Sequence, residues 1–415
     1  MTPERRRIFA WAFYDWANSA YATVVIAGFF PLFFRDYWGS GLEQAERTFW
    51  LGAANSASSL LIVLLAPLLG AVADRAGLRR RFLIRFALLG ILATATLALI
   101  GAGQWGFAAG AFAVATVGFM GANVFYDALI TEVAPRGEGD RVSALGYALG
   151  YLGGGILFAG CVALVLMPET FGLADRAAAV RLSFLLTAVW WAVFSIPLLR
   201  TVGERDGPRV PFGQAFVEGA AQLLQTLRDI RKHRQVALFL GGYFLYIDGV
   251  DTVVRMAVDY GMSIGFGTND LIAALLLVQF IGFPATLVFG RLARPLGARG
   301  GILLALAAYA GATIWASTMS ATWEFYGLAV TIGLVQGGVQ ALSRSFFARL
   351  VPADCAAEFF GFYNMMGKFA AVIGPVLVGW VGWMTGDPRI GILSLLLLFG
   401  GGALLLMRVR TPADT

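Results

Sequence analysis

Two short segments, one in each half of the chain, carry the same punctuation. The first is Gly70-Ala71-Val72-Ala73-Asp74-Arg75-Ala76-Gly77-Leu78-Arg79; the second is Gly290-Arg291-Leu292-Ala293-Arg294-Pro295-Leu296-Gly297-Ala298-Arg299. Both place Gly at the first and eighth positions and Arg at the tenth. Both lie between long apolar runs. A chain with one such loop per half reads as a duplicated membrane protein, two helical bundles facing each other across a path.

Apolar content supports that reading. Hydrophobic residues make up 59% of the chain and charged residues 13%, about half the charge of a soluble domain. A helix of roughly twenty apolar residues spans a bilayer. Such runs fall at 8–34, 49–73, 82–101, 105–131, 142–167, 180–200, 236–262, 271–291, 300–318, 323–348, 359–384 and 387–408. The first run is too long for a signal-peptide core, lacks a clear cleavage site and contains polar residues, so it reads as retained.

The charge of +6 sorts by side of the membrane rather than marking a nucleic-acid surface. Arg5 to Arg7, Arg79 to Arg81, Arg136, Arg141, Arg228 to Arg234, Arg291 to Arg299, Arg408 and Arg410 fall in alternate loops. The opposite loops hold Arg35, Arg47, Arg176, Arg181 and Arg389. The positive-inside rule predicts both termini in the cytoplasm, with inner basic patches meeting anionic lipid. The two cysteines, Cys161 and Cys355, have no metal spacing, and His233 is the only histidine. No cofactor or metal is expected.

Residues 201–235 interrupt the apolar pattern. Phe212, Phe216, Ala220, Leu223, Leu227 and Ile230 recur at helical spacing, predicting a surface helix that joins two halves. The domains expected are 1–200, 201–235 and 236–415.

Polar residues inside the runs repeat between halves. Tyr14-Asp15-Trp16-Ala17-Asn18 matches Ile247-Asp248-Gly249-Val250-Asp251 as D-x-x-[N/D]. Aligned on Pro135 and Pro352, Asn123 matches Gln340 and Asp127 matches Arg344. Asp248, Asp251, Arg255 and Asp259 form one helical stripe, in which Arg255 can neutralise Asp251. Lys368 sits inside the eleventh run. It needs a carboxylate such as Asp15 or Asp248, or an anionic cargo. Gly146, Gly150 and Gly154 form G-x-x-x-G steps and predict close packing against a helix of the other half.

The chain resembles the major facilitator superfamily. The loop Gly70–Arg79 carries that likeness, with Tyr14 to Tyr21, Gly337 to Ser345 and Glu358-Phe359-Phe360-Gly361 pointing to the branch that includes the fungal vacuolar amino-acid effluxer linked to autophagy. The resemblance implies an all-α membrane protein of twelve transmembrane helices in two pseudo-symmetric six-helix bundles, the major facilitator fold. It implies that the first, fourth, seventh and tenth helices line a central cavity. Two departures stand out: Arg294 occupies the place of Asp74 in the second loop, and Asp127 stands where relatives are expected to have Asn.

Candidate substrate- or proton-binding residues are Asp15, Asn18, Tyr14, Tyr21, Asn123, Tyr126, Asp248, Asp251, Arg255, Gln336, Gln340, Asn364 and Lys368. Candidate gating residues are Gly70, Asp74, Arg75, Gly77, Asp127, Arg294 and Arg344. Asp74 is expected to face the N-terminus of the eleventh helix near Phe359 to Gly361, and Arg294 to meet Glu138 or Asp140. Asp127 and Arg344 are expected to pair across the halves; the alternative pairs Asp127 with Arg141 and Arg344 with Glu358.

The function expected is alternating-access transport of a small polar or zwitterionic metabolite, most simply an amino acid, by export and with proton coupling. The partners are the small-molecule substrate, protons and membrane lipids, with no nucleic acid; a monomer in a bacterial inner membrane is expected. A phosphate-cradling loop, a Ser-His pairing and an H-E-x-x-H motif are all absent from the sequence, which disfavours a pump or an enzyme. A transport-inactive receptor or scaffold, or a facilitator of a different organic substrate, remains the alternative.

Overall fold

The computed structural model describes residues 2–203, 212–228, 233–263, 268–319 and 321–410. The side chains of Arg255, Asp259 and Lys368 lie outside the described set, as does Lys232. Among the described residues every regular element is helical.

Helix α1, Pro3–Ala20, starts at Thr2, whose hydroxyl caps the Arg5 N–H, with Pro3 pre-set for the first turn. It continues through π-helical turns at Tyr21–Phe29 and Phe34–Trp38. A widened turn was not legible from apolar periodicity. Such turns rotate side chains off the regular helical register, and the first lies beside the central cavity. Then follow α2 (Gln44–Ala76), α3 (Arg79–Leu97), α4 (Trp105–Ala128), α5 (Gly139–Leu166) and α6 (Arg176–Thr201). The amphipathic α7 (Phe212–Arg228) forms as the periodicity predicts, and it packs on α2. A Cβ on its Gly219 would meet the Ala71 and Val72 backbone. The second half holds α8 (Arg234–Ser263), α9 (Thr268–Thr318), α10 (Thr322–Leu350), α11 (Ala356–Thr385) and α12 (Leu395–Met407).

Both copies of the loop turn on the eighth-position glycine with positive φ, with ψ of 32° at Gly77 and 159° at Gly297. Gly77 ends α2 in the left-handed conformation, with φ of 64°, and the Leu78 N–H closes on the Ala73 carbonyl. Gly297 adopts φ of 69° and breaks α9 into two arms. Only glycine takes that conformation at little steric cost, which explains the shared eighth position. The shared first position serves close packing. A Cβ on Gly70 would run into the Ala357 carbonyl of α11, and one on Gly290 would come within 2.6 Å of the Ala144 Cβ of α5.

The two halves therefore meet along two related seams, α2 with α11 and α5 with α9. The glycine steps of α5 pack closely, as expected, but mainly within their own half: Cβ atoms on Gly146, Gly150 and Gly154 would strike Asp15, Ser19 and Thr23 of the first helix. The other half is met at Gly146, whose Cβ would come within 2.9 Å of Arg344 Nη2, and at Gly155, which faces Gln279. Among the described residues nine helical stretches are long and apolar enough to cross a membrane, with a shorter apolar stretch at Ile373–Thr385.

Candidate functional site

A cavity of about 490 Å³ lies between the halves. Asp15, Asn18, Asn123, Tyr126 and Asp127 line it from the first half; Asp251, Gln336, Gln340, Arg344 and Asn364 line it from the second. All ten were expected from sequence. Tyrosine rings from Tyr147, Tyr151, Tyr243 and Tyr363 complete the polar part. Ala312, Met319, Phe325, Leu328 and Ala329 add an apolar recess in the second half.

At one end of the cavity Arg344 of α10 crosses between halves. Its Nη1 lies 3.1 Å from Asp127 Oδ1, and both Nη atoms lie 3.2 Å from Asp15 Oδ2. Its Nε donates to Ser143 Oγ at 2.9 Å, and Nη2 donates to the Ser143 carbonyl at 3.0 Å. The guanidinium is 1% exposed and faces the rings of Trp11, Tyr126 and Tyr147 at 4.8, 5.4 and 4.2 Å. Planar, delocalised charge suits such burial better than an ammonium does.

Both carboxylates have further partners. Tyr126 donates to Asp15 Oδ2 at 2.8 Å, and Trp11 stacks on Tyr126 while donating to its carbonyl. Asn364 of α11 donates to Asp127 Oδ2 at 3.2 Å. Among the described residues every hydrogen bond to Asp15 thus falls on Oδ2, and the residue lines the cavity. Two carboxylates share one guanidinium. The cross-half pairing of Asp127 with Arg344 forms, and the alternative partners are engaged elsewhere: Arg141 with Glu138 at 3.5 Å, and Glu358 with Gln222.

Two further bridges join the halves along the cavity wall. Tyr151 donates to Gln340 Oε1 at 3.2 Å, and Gln279 donates to Thr23 Oγ1. Within the first half Asn18 donates to Asn123 Oδ1 at 2.5 Å.

Three expected site residues lie off the cavity wall. Tyr14 is fully buried against Tyr126, with ring centroids 4.9 Å apart. Tyr21 is fully buried and shares a hydrogen bond of 2.9 Å with Thr116. Asp248 is fully buried behind the wall, where a Cβ on Gly374 of α11 would come within 3.1 Å of its Oδ1. Asp251, one turn further along α8, lines the wall, whereas Asp248 packs against α11. Arg255 and Lys368 were also expected here, and their side chains lie outside the described residues.

A second knot closes the loop-bearing end. Asp74 accepts N–H groups from Ala357 and Glu358 at 3.3 and 3.0 Å, at the start of α11. A carboxylate there meets orphan backbone donors and the positive end of the helix. The contact falls just before the expected Phe359 to Gly361. Gly361 serves close packing instead, since a Cβ on it would strike the Pro67 backbone of α2. Arg79 ties the knot together. It reaches Asp74 at 2.5 Å, Glu132 at 2.6 Å and the Ala353 carbonyl at 2.8 Å, and is 4% exposed. Its role was not singled out from sequence, although its tenth place in the repeated loop was the available signal.

The other expected gating contacts differ. Arg75 is exposed. Arg294 is exposed too, and Asp140 is taken instead by Ser345 and, at 2.8 Å, by Arg349. The acceptors expected for Arg294 are already engaged, Asp140 by Ser345 and Arg349 and Glu138 by Arg141.

Comparison with known proteins agrees with this architecture. The family described as "Vacuole effluxer Atg22 like" matches residues 38–135 and 130–413. The chain is 38% identical to the uncharacterized MFS-type transporter YxiO of Bacillus subtilis, over 98% of this chain and 95% of that protein. It is 31% identical to autophagy-related protein 22 of Yarrowia lipolytica, over 62% of this chain and 48% of that longer protein. The human organic anion transporter MFSD10 superposes with a TM-score of 0.73 at 15% identity, covering 98% of this chain and all of its own. A charged knot between two halves, a repeated glycine-bounded loop and these matches place the chain in the Atg22-like vacuole effluxer family, as an integral membrane protein of the major facilitator fold.

Proposed function

We propose that the protein is a secondary transporter that moves a small polar or zwitterionic metabolite, an amino acid or close relative, by alternating access. The observation that carries this reading is a cavity built from both halves and sealed at one end by side chains from both halves. Opening that end requires Arg344 to leave Asp15 and Asp127. Ion pairs made in one state and broken in another are a means of switching between states.

The cavity's chemistry fits the cargo. Asp15 meets an amine or a proton. The amides of Asn18, Asn123 and Gln340 bind polar groups, and the apolar recess near Phe325 takes a side chain. Dehydrated zwitterions need both charge signs matched, and Arg344 supplies the cation. Export and proton coupling are the direction and energy source proposed.

The topology proposed has twelve spans. The nine long apolar stretches become ten when α9 is divided at Gly297; Arg79–Leu97 and Ala356–Thr385 complete the set. Residues 1–200 and 236–415 form the two bundles, joined by 201–235. Loop arginines put the Gly70–Arg79 end and both termini in the cytoplasm of a bacterial cell, in its inner membrane. The sealed end is then the cytoplasmic one. The protein works as a monomer among anionic lipids.

Purified protein in liposomes, preloaded with labelled amino acids, tests this reading. Counterflow that is lost in Arg344→Gln supports it. Ligands that raise Tm without any flux would instead establish a receptor.

A further inference from the structure

We propose that a groove between the first and sixth helices holds one anionic phospholipid. The groove is lined by Arg6, Phe9 and Phe13 of α1 and by Ile196, Pro197 and Arg200 of α6. Its volume is about 360 Å³, separate from the central cavity. Nothing in the transport reading uses these residues.

Sequence spacing builds it. Residues 6, 9 and 13 recur at three and four along α1, and residues 196, 197 and 200 fall on one side of α6, so each helix offers one face. Helix α1 starts and α6 ends at the same end of the bundle. Both arginines therefore sit at that end, and the rings of Phe9 and Phe13 run from it toward the bilayer centre. Phe9 is 48% and Ile196 38% exposed, forming the rims, while buried Ala10 forms the floor. Below Phe13 the helices are joined by rings. Phe13 meets Phe194 at 5.6 Å, and Trp16 stacks on Trp190 at 5.4 Å. The groove thus closes inward and opens to lipid.

The charges are available. Arg6 and Arg200 are both exposed, and neither forms an ion pair among the described residues. Arg200 is not needed to cap its own helix, because Arg80 already donates to the Leu199 carbonyl. Two guanidiniums above an apolar trough match a phosphate headgroup with its acyl chain below. Basic pockets between helices at the cytoplasmic surface recognise such headgroups, and arginine matches phosphate with paired donors. A soluble phosphate has no use for the trough, so the lipid is the occupant.

The test uses the full-length protein in detergent with fluorescent phosphatidylglycerol and phosphatidylcholine. Phosphatidylglycerol is expected to bind more tightly. The double variant Arg6→Gln/Arg200→Gln should lose about thirtyfold of that preference, the factor two interfacial arginines supply. Arg408→Gln removes a charge elsewhere and should leave the preference intact. Equal loss in Arg408→Gln, or equal displacement by glycerol phosphate, would overturn the proposal. Should the double variant misfold, wild-type protein still decides: photo-crosslinking phosphatidylglycerol should label residues 6–13 and 196–201. Labelling spread evenly around the bundle would equally overturn it.

Discussion

Arg344 and Asp127 occupy equivalent places in the two halves, and they meet at 3.1 Å across the pseudo-twofold axis. The duplication put opposite charges at related positions of α4 and α10. Asp15 then joins the same guanidinium, so the contact is a shared one rather than an isolated pair. That sharing sets the order of mutational effects.

Arg344→Gln leaves two carboxylates together without a cation. Removing one partner of a buried pair costs about 3–5 kcal/mol. Asp127→Asn removes less, about 1.5–3 kcal/mol, the range for a hydrogen bond to a charged group, because Arg344 keeps Asp15. Thermal unfolding in detergent should rank Arg344→Gln below Asp127→Asn. The swap Asp127→Arg/Arg344→Asp should recover part of the loss. A swap no better than the singles, with no disulfide between cysteines placed at 127 and 344, would refute the cross-half lock.

Asp15→Asn keeps the hydrogen bond from Tyr126 and removes the charge beside the cavity. Proton-driven accumulation of cargo should disappear while exchange of cargo for cargo continues. Flux assays with and without a pH gradient separate the two. Gradient-driven transport at the wild-type rate would take Asp15 out of the coupling step.

Asp251 and Asp248 should behave differently although both belong to one helical stripe and both are expected site residues. Asp251 lines the cavity, so Asp251→Asn should raise the KM for cargo. Asp248 is fully buried behind the wall, and Asp248→Asn should lower Tm and leave KM near wild type. The reverse pattern in a flux and unfolding comparison would overturn the assignment.

Much of this was legible in the chain because membrane helices leave few polar residues to choose from. Asp15, Asn18, Asn123 and Gln340 are readable as binding residues and Asp127 and Arg344 as a gating pair, and all six line the cavity. Legibility ended where helical angle mattered. Asp248 and Tyr14 share a helix with cavity residues yet point elsewhere. It also ended where backbone departs from period 3.6, as in the π-helical turn that carries Thr23. A contact made to a carbonyl, such as that of Arg79 to Ala353, leaves no side-chain partner in the sequence to signal it.

The glycine seam between α2 and α11 offers a labelling test through Cys355, which follows α10 and lies outside the apolar stretches. Burial first, then the charges of Glu358, Asp74 and Asp354, push the Cys355 thiol up to about 11. Maleimide needs the thiolate, so labelling at pH 7 should be slow and should rise about tenfold per pH unit below that value. Gly70→Val drives a side chain into the Ala357 carbonyl and should lift the start of α11 away. In a Cys161→Ala background it should speed labelling about tenfold at pH 7. An unchanged rate would mean that the seam does not cover Cys355.

Arg79 makes the last case, because its geometry separates charge from shape. Its three nitrogens engage Asp74, Glu132 and the Ala353 carbonyl at once, each in a different direction. Lysine keeps the charge but has one nitrogen, and cannot span these acceptors. Buried acceptors stripped of donors each cost about 1–3 kcal/mol. Arg79→Lys should therefore lose most of what Arg79→Gln loses, both in Tm and in protection of Cys355 from maleimide. Glu132→Gln removes one acceptor charge and leaves Asp74 seated on α11, so it should fall between wild type and Arg79→Lys. If Arg79→Lys instead matches wild type in both readouts, a single point charge suffices, and the forked geometry is not what holds this end shut.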